Sequence, residues 1–149
     1  MKKIFSAFII IFGILSDQFL KFWVVSSFDL NETKEFIPKV MSLTYLKNYG
    51  AAWSILEGQQ WIFNILTPLA LAIAFYFLWK RYKILNYNLA ISLIIAGALG
   101  NWIDRLRQGF VVDMFQTEFI NFAIFNLADI YLFIGFSVLM LSILLEKEE

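Results

Sequence analysis

The acidic residues of this chain limit the chemistry it can perform, because other catalytic side chains are missing. The 149 residues include no histidine and no cysteine. A Ser-His-Asp triad, a cysteine nucleophile and a histidine-ligated metal are therefore excluded. Any acid–base chemistry must use Asp, Glu, Lys, Tyr or water.

Asp113 and Asp129 are the acidic residues best suited to catalysis. They lie in the apolar contexts VVDMF and FNLADI, with no basic residue beside them. Two carboxyl groups brought close in such surroundings cannot both ionise cheaply and would share a proton. Aspartic proteases use such a pair: one carboxylate activates water while its protonated partner polarises the carbonyl group. Taken alone, Asp113 fits a water-facing loop carboxylate equally well.

Two further aspartates have cationic neighbours. Asp17 precedes Lys21 by four residues, the favoured order for an ion pair on a helix. Asp104 adjoins Arg105, and Asn101 lies one turn earlier on the same helix face. We therefore favour structural roles for these charged groups over direct chemistry.

Two other polar residues leave alternatives open. Asn126 lies three residues before Asp129 and is expected either to orient that carboxylate or to cap the helix that carries it. Ser54 and Lys21 could form a Ser-Lys peptidase pair, but nothing in the sequence sets the distance between them.

The elements that must position these side chains are membrane helices. The chain is 60% hydrophobic and only 16% charged, with a mean hydropathy of +0.71. This composition cannot supply the polar surface of a soluble domain of this length, so we expect one all-α, four-helix membrane domain over residues 1–149. The net charge of zero provides no basic field for nucleic acid, which we exclude as a partner.

Hydrophobicity predicts four transmembrane segments, at about 4–27, 61–79, 87–105 and 122–145. The first is expected to be retained rather than cleaved as a signal peptide, because no small-x-small site follows Leu15. The outer connections are residues 28–60 and 106–121. Within the longer one, residues 40–47 (VMSLTYLK) predict a strand or hairpin on the bilayer surface.

An even number of spans places both termini on one side of the membrane. Basic residues in the loop at 80–83 and at the N-terminus indicate that this side is the cytoplasm. At 1.5 Å per residue, Asp17, Asp104 and Asp129 all lie about 20–24 Å from the inner end of their helices. Asp113 enters the same layer from the second outer connection. The four carboxylates should therefore converge near the outer leaflet.

Five blocks follow one another in order over nearly the whole chain: 17–21 (DQFLK), 48–54 (NYGAAWS), 97–105 (GALGNWIDR), 109–113 (GFVVD) and 125–129 (FNLAD). Together these blocks resemble the motifs of the bacterial lipoprotein signal peptidases, also called signal peptidase II. The GxGD signature of other intramembrane aspartyl peptidases is absent. Met114 and Ile130 depart from the residue types expected beside the two aspartates.

The resemblance implies an aspartic endopeptidase that cleaves diacylglyceryl-modified prolipoproteins just before the lipidated cysteine, acts within the cell membrane and needs no metal or organic cofactor. We expect a monomer, although no feature of the sequence determines the oligomeric state. It implies that Asp113 and Asp129 are catalytic. It also implies a set of supporting residues: Asp17, Lys21, Asn48, Gly50, Asn101, Asp104, Arg105, Asn126 and Ala128. The segment around residues 40–54 would help to hold the substrate.

Two alternatives remain open at this point. A proton-coupled transporter could use Asp17, Asp104 and Asp129 as a relay, although the uncharged second helix argues against a continuous path. A non-catalytic assembly factor could use the carboxylates only to hold its helices together. Gly97 and Gly100 are expected to allow close helix packing rather than to bind a ligand.

Overall fold

The computed structural model describes residues 2–51 and 55–146, so Ser54 lies outside the described residues. Within this part of the chain are four helices and three strands, in the order α1 (Lys2–Ser27), β1 (Thr33–Ile37), β2 (Met41–Asn48), α2 (Gln60–Arg81), α3 (Leu85–Gln108), β3 (Val111–Thr117) and α4 (Leu127–Glu146). All four helices are long and apolar enough to cross a membrane. The prediction of a four-helix membrane protein is confirmed.

Helix α3 lies at the centre of the bundle and packs against the other three helices. Small residues bring α4 close to it. A Cβ atom on Gly97 would lie 2.4 Å from the backbone oxygen of Ala128, and one on Gly135 would lie 2.8 Å from the backbone oxygen of Ala90. On the side of α3 that faces α1, a Cβ atom on Gly100 would lie 2.6 Å from Asp17 Oδ2. These contacts agree with the close packing expected at Gly97 and Gly100.

The strands form one antiparallel sheet in the order β1-β2-β3. It packs on the end of α1 through a buried apolar cluster consisting of Val24, Phe28, Leu43, Tyr45, Val112 and Met114. The strand predicted at residues 40–47 is present as β2, whereas β3, in the second outer connection, was not predicted. Strand β3 is specified by pairing with a segment about 70 residues earlier, which local sequence does not reveal.

The prediction that the fourth helix begins near residue 122 is wrong, because α4 begins at Leu127. The backbone of Phe125 pairs with Phe115 instead: Phe115 N–H donates to the Phe125 carbonyl at 2.8 Å, and Phe125 N–H donates back at 3.1 Å. Backbone groups engaged in strand pairing cannot also enter the helical hydrogen-bond ladder. The first turn of α4 therefore starts directly beside the sheet.

The two ends of the bundle differ. At one end, called here the terminal end, Lys2 Nζ donates to the Lys83 carbonyl, and Arg81 Nη1 lies 3.1 Å from Glu146 Oε1. These contacts join the start of α1, the α2–α3 connection and the end of α4. The opposite end, called here the sheet end, carries the three strands. It also carries the aspartates singled out by sequence.

Candidate active site

Asp113 and Asp129 line the same cavity at the sheet end, with a volume of about 260 Å³. Alternation along β3 explains how Asp113 reaches it. Val112 and Met114 face the apolar cluster on α1, whereas Val111 and Asp113 face the cavity. The remaining walls come from Asn48, Ala51, Asn101, Arg105, Phe122, Ala123, Ile124, Phe125 and Asn126.

Asn126 caps α4 and also donates a hydrogen bond to each of the two carboxylates. Its Oδ1 accepts the Asp129 N–H at 3.0 Å, while its own N–H donates to Asp129 Oδ2 at 3.1 Å. This reciprocal pair is a capping box with an aspartate in the third helical position. The Asn126 Nδ2 group also donates to Asp113 Oδ1 at 2.6 Å. The two roles left open for this residue are therefore combined in one side chain.

The Asp113 carboxyl is almost completely enclosed, with 1% of the residue exposed. Asn48 Nδ2 donates to its Oδ2 at 2.8 Å, opposite the Asn126 contact on Oδ1. Burial raises the pKa of Asp113 to about 7, the negative charge of Asp129 adds to this increase, and the two amide donors oppose it. Asp113 can therefore exchange a proton near neutral pH.

The Asp129 carboxylate lies in the first turn of α4 and accepts two hydrogen bonds. Besides the Asn126 backbone N–H, Asn101 Nδ2 donates to Asp129 Oδ1 at 2.8 Å. The N-terminal end of a helix is where negative charge is stabilised by the aligned peptide dipoles. Each carboxyl of the pair is thus held at both oxygens by donors from neighbouring elements.

Lys21 lies behind this site, between two other carboxylates. Its Nζ is 2.9 Å from Asp17 Oδ2, 3.0 Å from Asp104 Oδ2 and 3.0 Å from Asn101 Oδ1. The expected Asp17–Lys21 pair is confirmed. The expectation that Arg105 is the cation beside Asp104 is wrong, because consecutive helical residues point about 100° apart and Lys21 from α1 fills that place.

The ionic cluster also holds backbone segments on either side of the pair. Asp17 Oδ1 accepts the Ala128 N–H at 2.9 Å, at the start of α4. Asp104 Oδ2 accepts the Val112 N–H at 3.2 Å, on β3. Gln18, which was not predicted as a site residue, donates to Asp104 Oδ1 at 2.9 Å and to the Gly100 carbonyl at 3.2 Å. Its position between Asp17 and Lys21, in the DQFLK block, was the available sequence signal.

Arg105 turns toward the cavity rather than toward Asp104. It donates to the Gly50 carbonyl at 3.0 Å, and its guanidinium lies 4.3 Å from the centre of the Phe63 ring. The Gly50 N–H donates to Asn48 Oδ1 at 2.9 Å, so this loop is held in the orientation that presents Asn48 to Asp113. All the predicted site residues therefore meet in one network.

This arrangement matches the requirements of acid–base hydrolysis by two carboxyl groups. The pair lines one cavity, and the surrounding amides keep donors directed at both carboxyls. The three contacts of Lys21 Nζ go to Asp17, Asp104 and Asn101, and Ser54, the serine of the alternative Ser-Lys pair, lies outside the described residues. Two carboxyls lining one cavity suit the activation of water.

Comparison with known proteins gives consistent matches over the whole chain. A family model described as signal peptidase (SPase) II matches residues 9–145. The lipoprotein signal peptidase of Lactococcus lactis subsp. lactis is 58% identical over 148 residues, covering 99% of both chains. That of Streptococcus agalactiae is 53% identical, covering 100% of this chain and 96% of the relative.

Two solved structures, each described as a bacterial membrane enzyme studied by the in meso method, have the same fold. One has a TM-score of 0.90 and 37% identity, covering 95% of this chain and 88% of its own. The other has a TM-score of 0.85 and 38% identity, covering 93% of this chain and 92% of its own.

Proposed function

Because this chain belongs to the signal peptidase II family, whose members remove signal peptides from prolipoproteins, we propose that Asp113 and Asp129 form the catalytic pair of this aspartic endopeptidase. The observation that carries the proposal is the shared cavity in which Asn126 donates to both carboxyls, through its side-chain amide to Asp113 and through its backbone N–H to Asp129. Family membership sets aside the transporter and assembly-factor alternatives.

The two carboxyls have different roles in this proposal. Asp113 holds the proton at rest, in keeping with its pKa of about 7 and its burial. Asp129, at the N-terminal end of α4, acts as the base that activates water. The neighbouring asparagines, Asn48, Asn101 and Asn126, keep both groups in place through the donors described above.

Hydrolysis then proceeds without an acyl-enzyme. Asp129 takes a proton from water as the oxygen attacks the scissile carbonyl carbon, and Asp113 gives its proton to the carbonyl oxygen. The resulting gem-diol collapses when Asp129 passes its proton to the leaving nitrogen and Asp113 regains a proton from one hydroxyl group. The carbon–nitrogen bond breaks, and both carboxyls return to their starting states.

We place this pair near the outer leaflet and both termini in the cytoplasm. The terminal end carries the basic side chains of Lys2, Lys80, Arg81 and Lys83, as the positive-inside rule requires of cytoplasmic segments. The substrate is a diacylglyceryl-modified prolipoprotein that reaches the cavity laterally through the bilayer. Residues that border the cavity beside the sheet, such as Asn48, then contact the segment around the cleavage position.

The test uses purified enzyme in detergent and a diacylglyceryl-modified prolipoprotein, with signal-peptide release followed by gel shift. Asp113→Asn and Asp129→Asn should each lose nearly all turnover while thermal melts show a folded protein. Asp29→Asn is the matched control, because Asp29 is exposed and does not line the cavity, and it should retain parental turnover. Near-parental turnover by either cavity variant would show that the pair is assigned wrongly.

Two further measurements distinguish water activation from a serine nucleophile. Ser54→Ala should keep parental kcat/KM, because the proposal gives its hydroxyl no part in bond making. Added hydroxylamine should not trap any signal-peptide hydroxamate, since no acyl-enzyme forms. Loss of turnover in a folded Ser54→Ala protein together with hydroxamate formation would replace the proposed mechanism by a covalent one.

A further inference from the structure

A second, larger cavity lies between α2, α3 and α4 and extends toward the terminal end. Its volume is about 620 Å³, and most of its lining is aliphatic or aromatic. Helices α2 and α4 both pack on α3 but hardly touch each other, which leaves this groove between them. Its walls include Ala70 and Ile73 on α2, Ile94 on α3, and Phe136 and Leu139 on α4.

The groove lies on the same faces of α3 and α4 as the catalytic cavity, nearer the terminal end. On α4, Phe136 lies seven residues after Asp129, and Leu139 and Ile143 follow at helical spacing. On α3, Ile94 lies seven residues before Asn101. Because seven residues make almost two full turns, these groove residues lie directly below the catalytic ones.

The groove ends at the ion pair that joins Arg81 on α2 to Glu146 on α4. Tyr87 of α3 completes this closure by donating its hydroxyl to Glu146. From Asp129 to Glu146 the rise along α4 is about 25 Å. About 17 helical residues span these 25 Å. The apolar region of a signal peptide is about 7–15 residues long and follows a basic segment, so the groove is long enough to hold the whole region as a helix.

We propose that this groove binds the apolar region of the signal peptide as a helix, with its cleavage end at the catalytic pair. This inference rests on the proposed function and extends it to the part of the substrate remote from the scissile bond. A helix laid in an apolar groove is held by one face, while its other face remains in lipid. Contacts along the groove thus set the depth at which the scissile bond meets Asp113 and Asp129.

Two exposed alanines on α2 provide a matched test. Ala70 lines the groove, whereas Ala72 is exposed but does not border it. Ala70→Trp should raise KM for full-length lipidated prolipoprotein about tenfold or more, and Ala72→Trp should leave it within about twofold. With a short lipopeptide that lacks the apolar region, all three proteins should have the same kcat/KM.

Photocrosslinking identifies the occupant directly. Benzoylphenylalanine replaces Ala70 or Ala72 in the Asp129→Asn protein, which should bind but not cleave the prolipoprotein. Mass spectrometry should find signal-peptide adducts at position 70 and not at position 72. Lipid adducts alone at position 70, or an unchanged KM for Ala70→Trp, would overturn the groove assignment. Neither result would affect the dyad, because short-substrate cleavage tests that chemistry independently.

Discussion

Asn126→Ser separates the two roles that the structure gives to Asn126. A serine hydroxyl can still accept the Asp129 N–H and therefore keeps the helix cap. The amide N–H groups directed at Asp113 and Asn101 are lost, although Asn101 Oδ1 still accepts a hydrogen bond from Lys21 Nζ. The substitution should therefore change the protonation of Asp113 while leaving α4 intact.

The size of the effect follows from the lost hydrogen bond. The Asn126 amide lowers the pKa of Asp113, which stands at about 7 with this donor in place. A hydrogen bond to a charged group contributes about 1.5 kcal/mol, and about 1.4 kcal/mol corresponds to one pKa unit. Asn126→Ser should therefore raise the Asp113 pKa by about one unit.

The assay is the pH dependence of kcat/KM, which reports essential groups of the free enzyme. If Asp113 must be protonated, activity falls as pH rises through its pKa. The alkaline limb of the Asn126→Ser profile should then move about one unit toward higher pH. Asn126→Ala is the comparison variant, because it should show the same shift and also lose about 1 kcal/mol of stability with the cap.

An unmoved alkaline limb in a folded Asn126→Ser protein would refute the assignment of Asp113 as the acid. An acidic limb that moves upward instead would make Asp113 the base and exchange the roles of the two carboxyls.

Three further predictions concern stability, each measured by unfolding in detergent. Because its folded pKa of about 7 exceeds the ordinary 3.8, Asp113 destabilises the protein increasingly as pH rises from about 4 to 7. Asparagine does not titrate, so the stability of Asp113→Asn relative to the parent should rise by up to about 4 kcal/mol between pH 4 and pH 8, and a pH-independent difference would contradict this. Lys21→Met leaves two buried carboxylates without their cation and should lower the free energy of unfolding by about 3–5 kcal/mol. Lys34→Met breaks an exposed pair and should lower it by less than about 1 kcal/mol. Equal losses would show that burial of the ion pair is not what makes it important. Gly97→Ala should cost about 1–3 kcal/mol because its Cβ would lie 2.4 Å from the Ala128 carbonyl oxygen, and an unchanged melting temperature would show that α4 can move away freely.

Local sequence was sufficient to predict the helices but not the complete sheet. Apolar runs of about 20 residues specify membrane helices by themselves, since every backbone hydrogen bond of a helix is satisfied within the segment. Strand β3 depends on a partner far away in sequence, and residues 111–117 (VVDMFQT) do not alternate between apolar and polar types. The same pairing, through Phe115 and Phe125, moved the start of α4 to Leu127.

The candidate site shows the same division. The types and contexts of Asp113 and Asp129 indicated a carboxyl pair, and the motifs named their neighbours. The sequence did not show which of those neighbours contact one another. Lys21 contacts Asp104 on another helix, and Arg105 turns away from Asp104 to hold the Gly50 carbonyl. Side chains adjacent in sequence point in different directions on a helix, so adjacency was a poor guide to pairing.

By itself, therefore, the sequence determined the membrane environment, the four helices and the limited chemistry open to a chain without histidine or cysteine. Tertiary structure decided the hydrogen-bond partners of Asn126, which caps α4 and donates to both carboxyls, to Asp113 from its side chain and to Asp129 from its backbone. It also decided that the groove shares its helix faces with the catalytic cavity. The physical reason is that hydrophobic periodicity depends on neighbours within one segment, whereas hydrogen-bond direction and burial depend on where distant segments meet.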